Sequence, residues 1–184
     1  VFKKGLISYS PAHVGAFLRS SSEIDLPDLQ FVFTPASYTE GMIGKLQNIP
    51  GITCGVWQSR PQSRGYITLA SLDPTDPPLI YPNYFSEEQD LIDTRNGFRV
   101  THNIFMQKAF DEYRGIRIRP KQEINIEDNL ALDEYIKKTA ETLYHPVGTC
   151  KMGIDDKAVT NKYGQVKGTT GLRVIDASIM PTLI

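Results

Sequence analysis

The stretch DLQFVFTPA, residues 28–36, predicts a short β-strand near the start of the chain. Leu29, Phe31 and Phe33 recur at every second position, and this period places their side chains on one face of a strand. A proline stands on either side of the run. Because proline cannot donate a ladder hydrogen bond, we expect the strand to be short.

Two further apolar runs follow, and their separation predicts a hairpin. Residues 52–58 are bounded by proline-containing turns, and residues 66–71 alternate in the same way as the first strand. The connector, residues 59–65, is short and rich in turn-forming residues, so we expect these two runs to pair as an antiparallel hairpin. Residues 73–78 contain three prolines and are interpreted as a loop.

Two helices are predicted in the second half of the chain. The first begins where Ser86 and Gln89 have the spacing of a capping box. Its buried face is expected to carry residues at intervals of three, four and seven: Leu91, Phe98, His102, Phe105 and Ala109. The second covers residues 130–143 and ends near Tyr144, because Pro146 disfavours helical geometry at the residue before it.

The order of these elements decides the predicted fold class. A final run, residues 172–176, predicts a strand that ends in an acidic residue. The chain would then contain strands, two helices and a last strand, with antiparallel pairing between neighbours. This order favours the α+β class, with a mainly antiparallel sheet packed against helices.

Composition excludes several kinds of protein. The chain has 184 residues, of which 40% are hydrophobic and 22% charged, which is typical of a folded domain of ordinary size. Its net charge of −1 offers no basic surface for nucleic acid. No apolar run approaches the roughly 18 residues needed to cross a bilayer. Cys54 and Cys150 are too few for a disulfide framework, although one isolated bridge stays open.

Both ends of the sequence suggest a chain that is cut short. It opens on Val1 without a charged segment followed by an apolar one, and it closes on the mainly apolar residues 179–184. A docked C-terminal strand is the alternative explanation of that closing run. We expect truncation at both ends, with any targeting signal outside this chain, and the cytoplasm is favoured as its compartment.

Three histidines are the candidates for acid–base chemistry. His13 lies in a loop and is interpreted as a surface residue, whereas His102 belongs to the apolar face of the first helix and is interpreted as a core residue. His145 differs, because Pro146 restricts the backbone after it and Gly148 allows a close backbone approach. Imidazole exchanges protons near neutral pH, so a histidine on a rigid turn suits a general base. From spacing alone, a structural role stays open.

Other site chemistries find little support in the sequence. The histidines are separated by 89 and 43 residues, and no HxxH or HExxH pair exists, so no metal site is predicted. The sequence contains no GxSxG nucleophile elbow and no GxGxxG or GxxxxGK phosphate-binding loop. Cys150 lies five residues from His145, but a buried inert thiol is favoured over a Cys–His catalytic pair.

Two segments near the end of the chain resemble signature sequences of the glucose–methanol–choline (GMC) flavoprotein oxidoreductases. Residues 144–153, YHPVGTCKMG, resemble that family's active-site signature. Residues 171–181, GLRVIDASIMP, resemble its closing signature, at the usual distance downstream. Shorter similarities occur at four further places: residues 15–19, 27–30, 63–65 and 73–84. The resemblance therefore covers nearly the whole chain.

The resemblance implies an FAD-dependent enzyme that oxidises a small-molecule alcohol. His145 stands where the family keeps the histidine that accepts the alcohol proton while hydride passes to the flavin N5. Asp176 and Ala177 stand where backbone groups of the family approach FAD. The resemblance also implies that residues 1–170 form a substrate-binding domain and that residues 171–184 begin the return to a missing FAD-binding domain, the expected partner of this chain.

The sequence departs from the family pattern in what it lacks. The glycine fingerprint of a dinucleotide-binding fold is absent, and the family's second catalytic His or Asn would come after Ile184. We therefore expect the chain alone to bind little FAD and to be inactive. Choline or another simple alcohol is the favoured substrate, and a sugar or an aryl alcohol stays open. Either oxygen or a quinone-like carrier could accept the electrons. A non-catalytic binding or remnant domain is the alternative function.

Overall fold

The computed structural model describes residues 10, 12–39 and 45–183. Contacts divide the chain into two compact units: unit 1, residues 1–59 and 88–141, and unit 2, residues 60–87 and 142–184. The described residues form antiparallel sheets and two α-helices, which confirms the predicted α+β class. The boundary that the resemblance implies at residue 170, between a substrate-binding domain and the return to an FAD-binding domain, stays a prediction.

A three-stranded antiparallel sheet is the base of unit 1. Its strands, in chain order, are β1 (Val14–Leu18), β2 (Leu29–Thr34) and β3 (Thr53–Gln58). The first predicted strand is therefore confirmed as β2, which lies between the other two. Leu29 and Phe31 are fully buried, as their alternation predicts for the face of a strand that is turned to the core.

Helix α1, Glu88–Phe105, packs against β3 and β2. Gly97 permits this contact, because a Cβ built on it would lie 2.8 Å from Cγ2 of Val56 and 3.4 Å from Cδ1 of Leu29. The first distance is far shorter than the roughly 3.5–4.0 Å at which carbon atoms make their best contact. A side chain at residue 97 would therefore push the helix away from the sheet.

A buried carboxylate on α1 accepts three hydrogen bonds. Asp93 is 5% exposed, and its oxygens accept from Ser20 Oγ at 3.2 Å, Gln58 Nε2 at 2.6 Å and Gln89 Nε2 at 2.8 Å. Ser20 lies shortly after β1 and Gln58 ends β3, so this group connects α1 to both edge strands. The hydrogen bonds offset the cost of removing a carboxylate from water.

Helix α2, Asn129–Thr139, packs against α1. Asp128 caps its start, because its carboxylate accepts from two backbone amides of the first turn at 3.0 and 3.1 Å. Leu132 is fully buried, and Phe98 of α1 meets Tyr135 of α2 edge to face with ring centres 5.7 Å apart. The helices thus complete the core of unit 1.

Unit 2 combines a small hairpin with a long irregular segment. Strands β4 (Tyr66–Thr68) and β5 (Leu79–Tyr81) pair with each other as an antiparallel sheet. Within residues 142–183, the structure has isolated bridges and one 3₁₀ turn, Ala177–Ile179. The fully buried side chain of Thr160 lies in this irregular part.

The predicted hairpin between residues 52–58 and 66–71 is wrong. Both strands exist, but β3 pairs with β2, and β4 pairs with β5, a segment for which the sequence predicts no strand. The loop predicted at residues 73–78 is confirmed and lies between β4 and β5. The short connector at residues 59–65 misled the prediction because it crosses from one compact unit to the other.

The strand predicted at residues 172–176 is also wrong. Only Arg173 forms a β-bridge there, with Gln165, and the Val174 amide donates to Gly164 O at 2.9 Å as part of that bridge. The facing backbone turns at Gly164 and Gly168, which both have positive φ, so the bridge is not continued into a ladder. The alternative of a C-terminal strand is likewise not observed in residues 179–183, and Ile184 lies outside the described residues.

Both predicted helices exist, but their ends differ from the predictions. Helix α1 ends at Phe105, and Ala109 lies instead in a separate 3₁₀ turn. Helix α2 ends at Thr139 rather than near residue 143, because Ala140 is already extended with ψ 139°.

The capping box predicted at the start of α1 is wrong. The Gln89 side chain donates to Asp93 at 2.8 Å rather than reaching back. The Ser86 amide donates to Asn83 O at 3.2 Å. The Gln89 side chain and the Ser86 amide, which a capping box would join, therefore bond other residues.

Replacing Gly97 by valine should destabilise the chain. The new side chain would overlap Val56, and overpacking of this kind costs about 2 kcal/mol. Gly115 is a matched control, since a Cβ added there meets nothing within 4 Å. Thermal unfolding should show a lower midpoint for Gly97→Val than for Gly115→Val, and equal midpoints would contradict the close helix–sheet contact.

Candidate active site

His145 lies on a sharp turn in unit 2. Tyr144, the residue before it, has φ 61°, in the left-handed region that non-glycine residues rarely adopt. The Tyr144 amide donates to Thr142 Oγ1 at 3.1 Å, and Pro146 restricts the backbone on the other side. His145 is exposed, and its imidazole makes no hydrogen bond to any residue that the structure describes.

Backbone hydrogen bonds join the segment after His145 to the segment after Asp176. The Cys150 amide donates to Ser178 O at 2.9 Å, and the Met152 amide donates to Ile179 O at 2.8 Å. The structure therefore brings together the two segments that carry the predicted site residues.

Gly148 lies where the same two segments meet, and its backbone conformation rather than lack of space requires glycine. Its φ of 89° is strained for any other residue, and a Cβ built on it would lie 3.4 Å from Met180 O. The glycine singled out in the sequence thus lies at the contact between the segments.

Thr160 supports the His145 segment from inside unit 2. Its hydroxyl donates to Cys150 O at 3.0 Å, and its amide donates to Lys151 O at 3.3 Å. Its carbonyl oxygen accepts from the Gly153 amide at 3.0 Å. The side chain is fully buried, so these contacts fix residues 150–153 from the side that faces away from solvent.

Asp176 uses its side chain to shape the local backbone. Its Oδ1 accepts from the Ser178 amide at 2.8 Å and also from the Ser178 hydroxyl, at the start of the turn Ala177–Ile179. These hydrogen bonds, the hydroxyl first, lower the pKa of Asp176 below its ordinary value. The carboxylate is therefore ionised at neutral pH. Ala177 is exposed, and no described residue accepts a hydrogen bond from its amide.

The surface around His145 is open. Unit 2 has two shallow depressions of about 350 and 440 Å³, formed by the loop at residues 161–173 and by residues near Ile154 and Tyr163. His145 lines neither of them. Within the described residues, no closed substrate pocket surrounds the imidazole.

The remaining candidate residues support no second site. His13 is exposed and His102 is half-buried on α1. Both cysteines are free, and burial raises the pKa of the Cys54 thiol to about 11, so this thiol is neutral near pH 7. Cys150 is half-buried rather than fully buried.

The described parts of the chain contain neither a cluster of metal ligands nor a membrane-spanning helix. No group of three or more His, Cys, Asp or Glu side chains there could hold a metal ion. None of the helices in residues 10, 12–39 and 45–183 is long and apolar enough to pass through a membrane.

Sequence reasoning missed two residues that shape this site. Thr160 belongs to no recognised motif, and its isolated bridges to residues 152 and 166 give no periodic signal. Ser178 could have been found from the Asp-x-Ser spacing with Asp176, since a carboxylate often bonds the backbone two residues later.

Removing the Asp176 carboxylate should loosen the turn at Ala177–Ile179. In Asp176→Ala, the Ser178 amide loses its acceptor, and its hydrogen exchange should accelerate, whereas Asp176→Asn retains an acceptor oxygen and should show a smaller change. In the unchanged chain, the protection should persist at neutral pH and be lost only when acidification protonates the Asp176 carboxylate, whose pKa lies below the ordinary aspartate value. Equal protection in all three proteins would contradict this role.

Comparison with known proteins gives the family. The family model described as GMC oxidoreductase matches residues 61–184. The chain is 41% identical over 180 residues to the oxygen-dependent choline dehydrogenase of Klebsiella pneumoniae, covering 98% of this chain and 32% of that protein. It is 42% identical over 170 residues to the enzyme of that name in Escherichia coli, covering 92% and 30%. The chain thus spans about a third of the length of these relatives.

Solved structures show the same fold. A pyridoxine 4-oxidase from Mesorbium loti superposes with a TM-score of 0.80 at 23% identity, over 94% of this chain and 34% of that one. A formate oxidase from Aspergillus oryzae RIB40, studied for modification of its FAD, gives a TM-score of 0.78 at 26% identity, over 88% and 29%. Together with the match to the family model, these similarities confirm the resemblance carried by residues 144–153 and 171–181: the chain belongs to the GMC oxidoreductase family.

Proposed function

We propose that this chain is the substrate-side part of an FAD-dependent oxidoreductase acting on the CH–OH group of a small alcohol, with His145 as the base. The position of His145 carries the proposal. Its imidazole is exposed and has no hydrogen-bond partner among the described residues, and its segment is bonded to the one that follows Asp176. A general base has to be accessible and held on fixed backbone, and His145 meets both requirements.

The residues of this chain fit part of an FAD site. Ala177 is exposed, and its amide is available to a ligand acceptor, because no described residue uses it. The Asp176 carboxylate is engaged by Ser178, so its contribution would be to fix the backbone from which Ala177 donates. When bound, FAD supplies the hydride acceptor that protein side chains lack.

The role of His145 follows from the chemistry of alcohol oxidation. Removing two electrons from a CH–OH group releases a hydride and a hydroxyl proton, and the proton needs an acceptor on the same side as the alcohol oxygen. In the proposed site, a ring nitrogen of His145 accepts that proton. Thr160 holds residues 150–153, which follow His145 closely in the chain, so the backbone that carries the histidine is anchored on that side.

The proposed partner of this chain is an FAD-binding domain that belongs to the same polypeptide. The relatives are about three times as long as this chain, and its sequence contains no GxGxxG loop to hold a dinucleotide. The open surface at His145 also leaves room for pocket walls from another segment. On this basis, we propose that the isolated chain is inactive.

The proposed substrate is choline or a simple alcohol of similar size. The support comes from the curated relatives at 41–42% identity, which are choline dehydrogenases by name. The solved structures with the same fold act by name on pyridoxine and formate, so the fold alone does not select a substrate.

The alternative is a non-catalytic domain in which the histidine motif serves packing. That role would need a buried imidazole that bonds a neighbouring backbone carbonyl. The exposure of His145 and its lack of a described partner favour the catalytic proposal.

The isolated 184-residue chain should retain little FAD. It lacks a phosphate-binding loop, so the cofactor would be held only by groups such as the Ala177 amide. Flavin absorbance of the purified chain should lie far below one FAD per chain. A chimera in which the chain replaces the matching third of a curated relative should bind close to one. Stoichiometric FAD on the isolated chain would contradict the proposal.

Replacing His145 by alanine should slow the chemical step in that FAD-loaded chimera. Loss of a positioned base lowers rates by about 100- to 10,000-fold, which stopped-flow measurement of flavin reduction by choline can detect. His13→Ala is the control, since His13 is an exposed residue of unit 1 and should leave the rate unchanged. A His145→Ala protein that is reduced at the normal rate removes His145 from the mechanism.

A further inference from the structure

The hairpin of β4 and β5 is a small, isolated sheet. Tyr66 and Tyr81 stack across it with ring centres 4.7 Å apart. Gly65 precedes β4 and lies against the backbone that follows β5. A Cβ there would lie 2.2 Å from Tyr81 O and 2.7 Å from Pro82 O, so no larger residue fits. Within the described residues, neither strand pairs with a third one.

Both faces of this hairpin are apolar and exposed. Side chains alternate across a sheet, so Tyr66 and Leu79 lie on one face, whereas Ile67 and Ile80 lie on the other. These four side chains are 55%, 42%, 48% and 64% exposed. Leu72, in the connecting loop, is fully exposed.

Both strands of the hairpin and their flanks lack charge, and the two charged residues, Asp73 and Asp76, lie in the connecting loop. Residues 66–72, YITLASL, and residues 77–82, PPLIYP, contain no Asp, Glu, Lys or Arg. Depletion of charged side chains and enrichment in tyrosine distinguish the buried centre of a protein interface from ordinary surface. An exposed Leu or Ile on its own needs no explanation, but two paired strands that are uncharged and apolar on both faces do.

A two-stranded sheet is marginally stable in water and normally needs a third strand or a packed layer. Here that layer would have to cover two opposite faces. A second copy of the chain whose hairpin packs face to face with this one about a twofold axis would cover one face and leave the other in water. A longer polypeptide that passes on both sides can cover both.

We infer that the β4–β5 hairpin is the surface by which this chain docks onto the remaining two-thirds of a GMC-type polypeptide, with apolar segments of that polypeptide packed on both faces. The inference rests on the proposed function, since it takes the FAD-binding domain as the occupant. The relatives, about three times as long as this chain, supply a polypeptide of sufficient length.

Hydrogen–deuterium exchange of the isolated chain and of the chimera tests this inference. Peptides that cover residues 66–81 should exchange about ten-fold more slowly in the chimera than in the isolated chain. Equal exchange in a chimera that binds FAD overturns the docking surface and leaves the proposed function standing. Slow exchange in a chimera without FAD supports the docking surface and counts against the proposed function.

Experiments on the isolated chain test the inference without the chimera. They also distinguish further polypeptide from a second copy of the chain as the occupant of the hairpin faces. If the faces are free in this chain, Ile67→Lys combined with Ile80→Glu, which places opposite charges on directly paired positions, should shift its thermal midpoint by less than about 2 °C, as should the control Ile154→Glu at another exposed isoleucine. A large fall for the double variant alone shows that these faces are covered within the chain and overturns the inference. Protection of residues 66–81 that rises with concentration as the chain dimerises identifies a second copy as the occupant and also overturns it.

Discussion

Two backbone hydrogen bonds, Cys150 to Ser178 and Met152 to Ile179, hold the candidate site together. They join two irregular segments that have no regular secondary structure to fix them. The fully buried Thr160 supports the first segment from inside, and the Asp176 carboxylate shapes the second. This contact joins the segment that follows His145 to the turn at Ala177–Ile179. The chemistry proposed for the site depends on that adjacency.

The two units use different means to order their backbone. Unit 1 has a packed core, in which Gly97 lets α1 approach the sheet and Asp93 connects the helix to both edge strands. Unit 2 has few buried side chains and relies on turns, caps and bridges. Sites that bind ligands are often built from such loops, because irregular backbone leaves amides and side chains available. The exposed β4–β5 hairpin fits the same picture of a unit that is completed by further polypeptide.

Regular elements with a strong period could be predicted from the sequence. The alternation in residues 28–36 gives the central strand, and the helical spacing of Leu91 and Phe98 gives α1. Pairing partners could not be predicted, because residues close in sequence fall in different units. The run at residues 172–176 has strand composition, yet only Arg173 forms a bridge, because the facing backbone turns at Gly164 and Gly168, a tertiary effect that no local pattern reveals.

The site was accessible to sequence analysis only through its motifs. Proline and glycine around His145 indicated a rigid turn, and the structure has that turn, with Tyr144 in a left-handed conformation. The role of Thr160 depends on bonds to residues ten positions away and left no trace in the sequence.

Chemical rescue tests the proton-accepting role of His145 most directly. In an FAD-loaded chimera that carries His145→Gly, added imidazoles can enter the space left by the side chain and take its place as base. The account predicts that flavin reduction by the alcohol recovers and that the recovered rate increases with the pKa of the added imidazole. A rate that stays low and independent of added imidazole would contradict it.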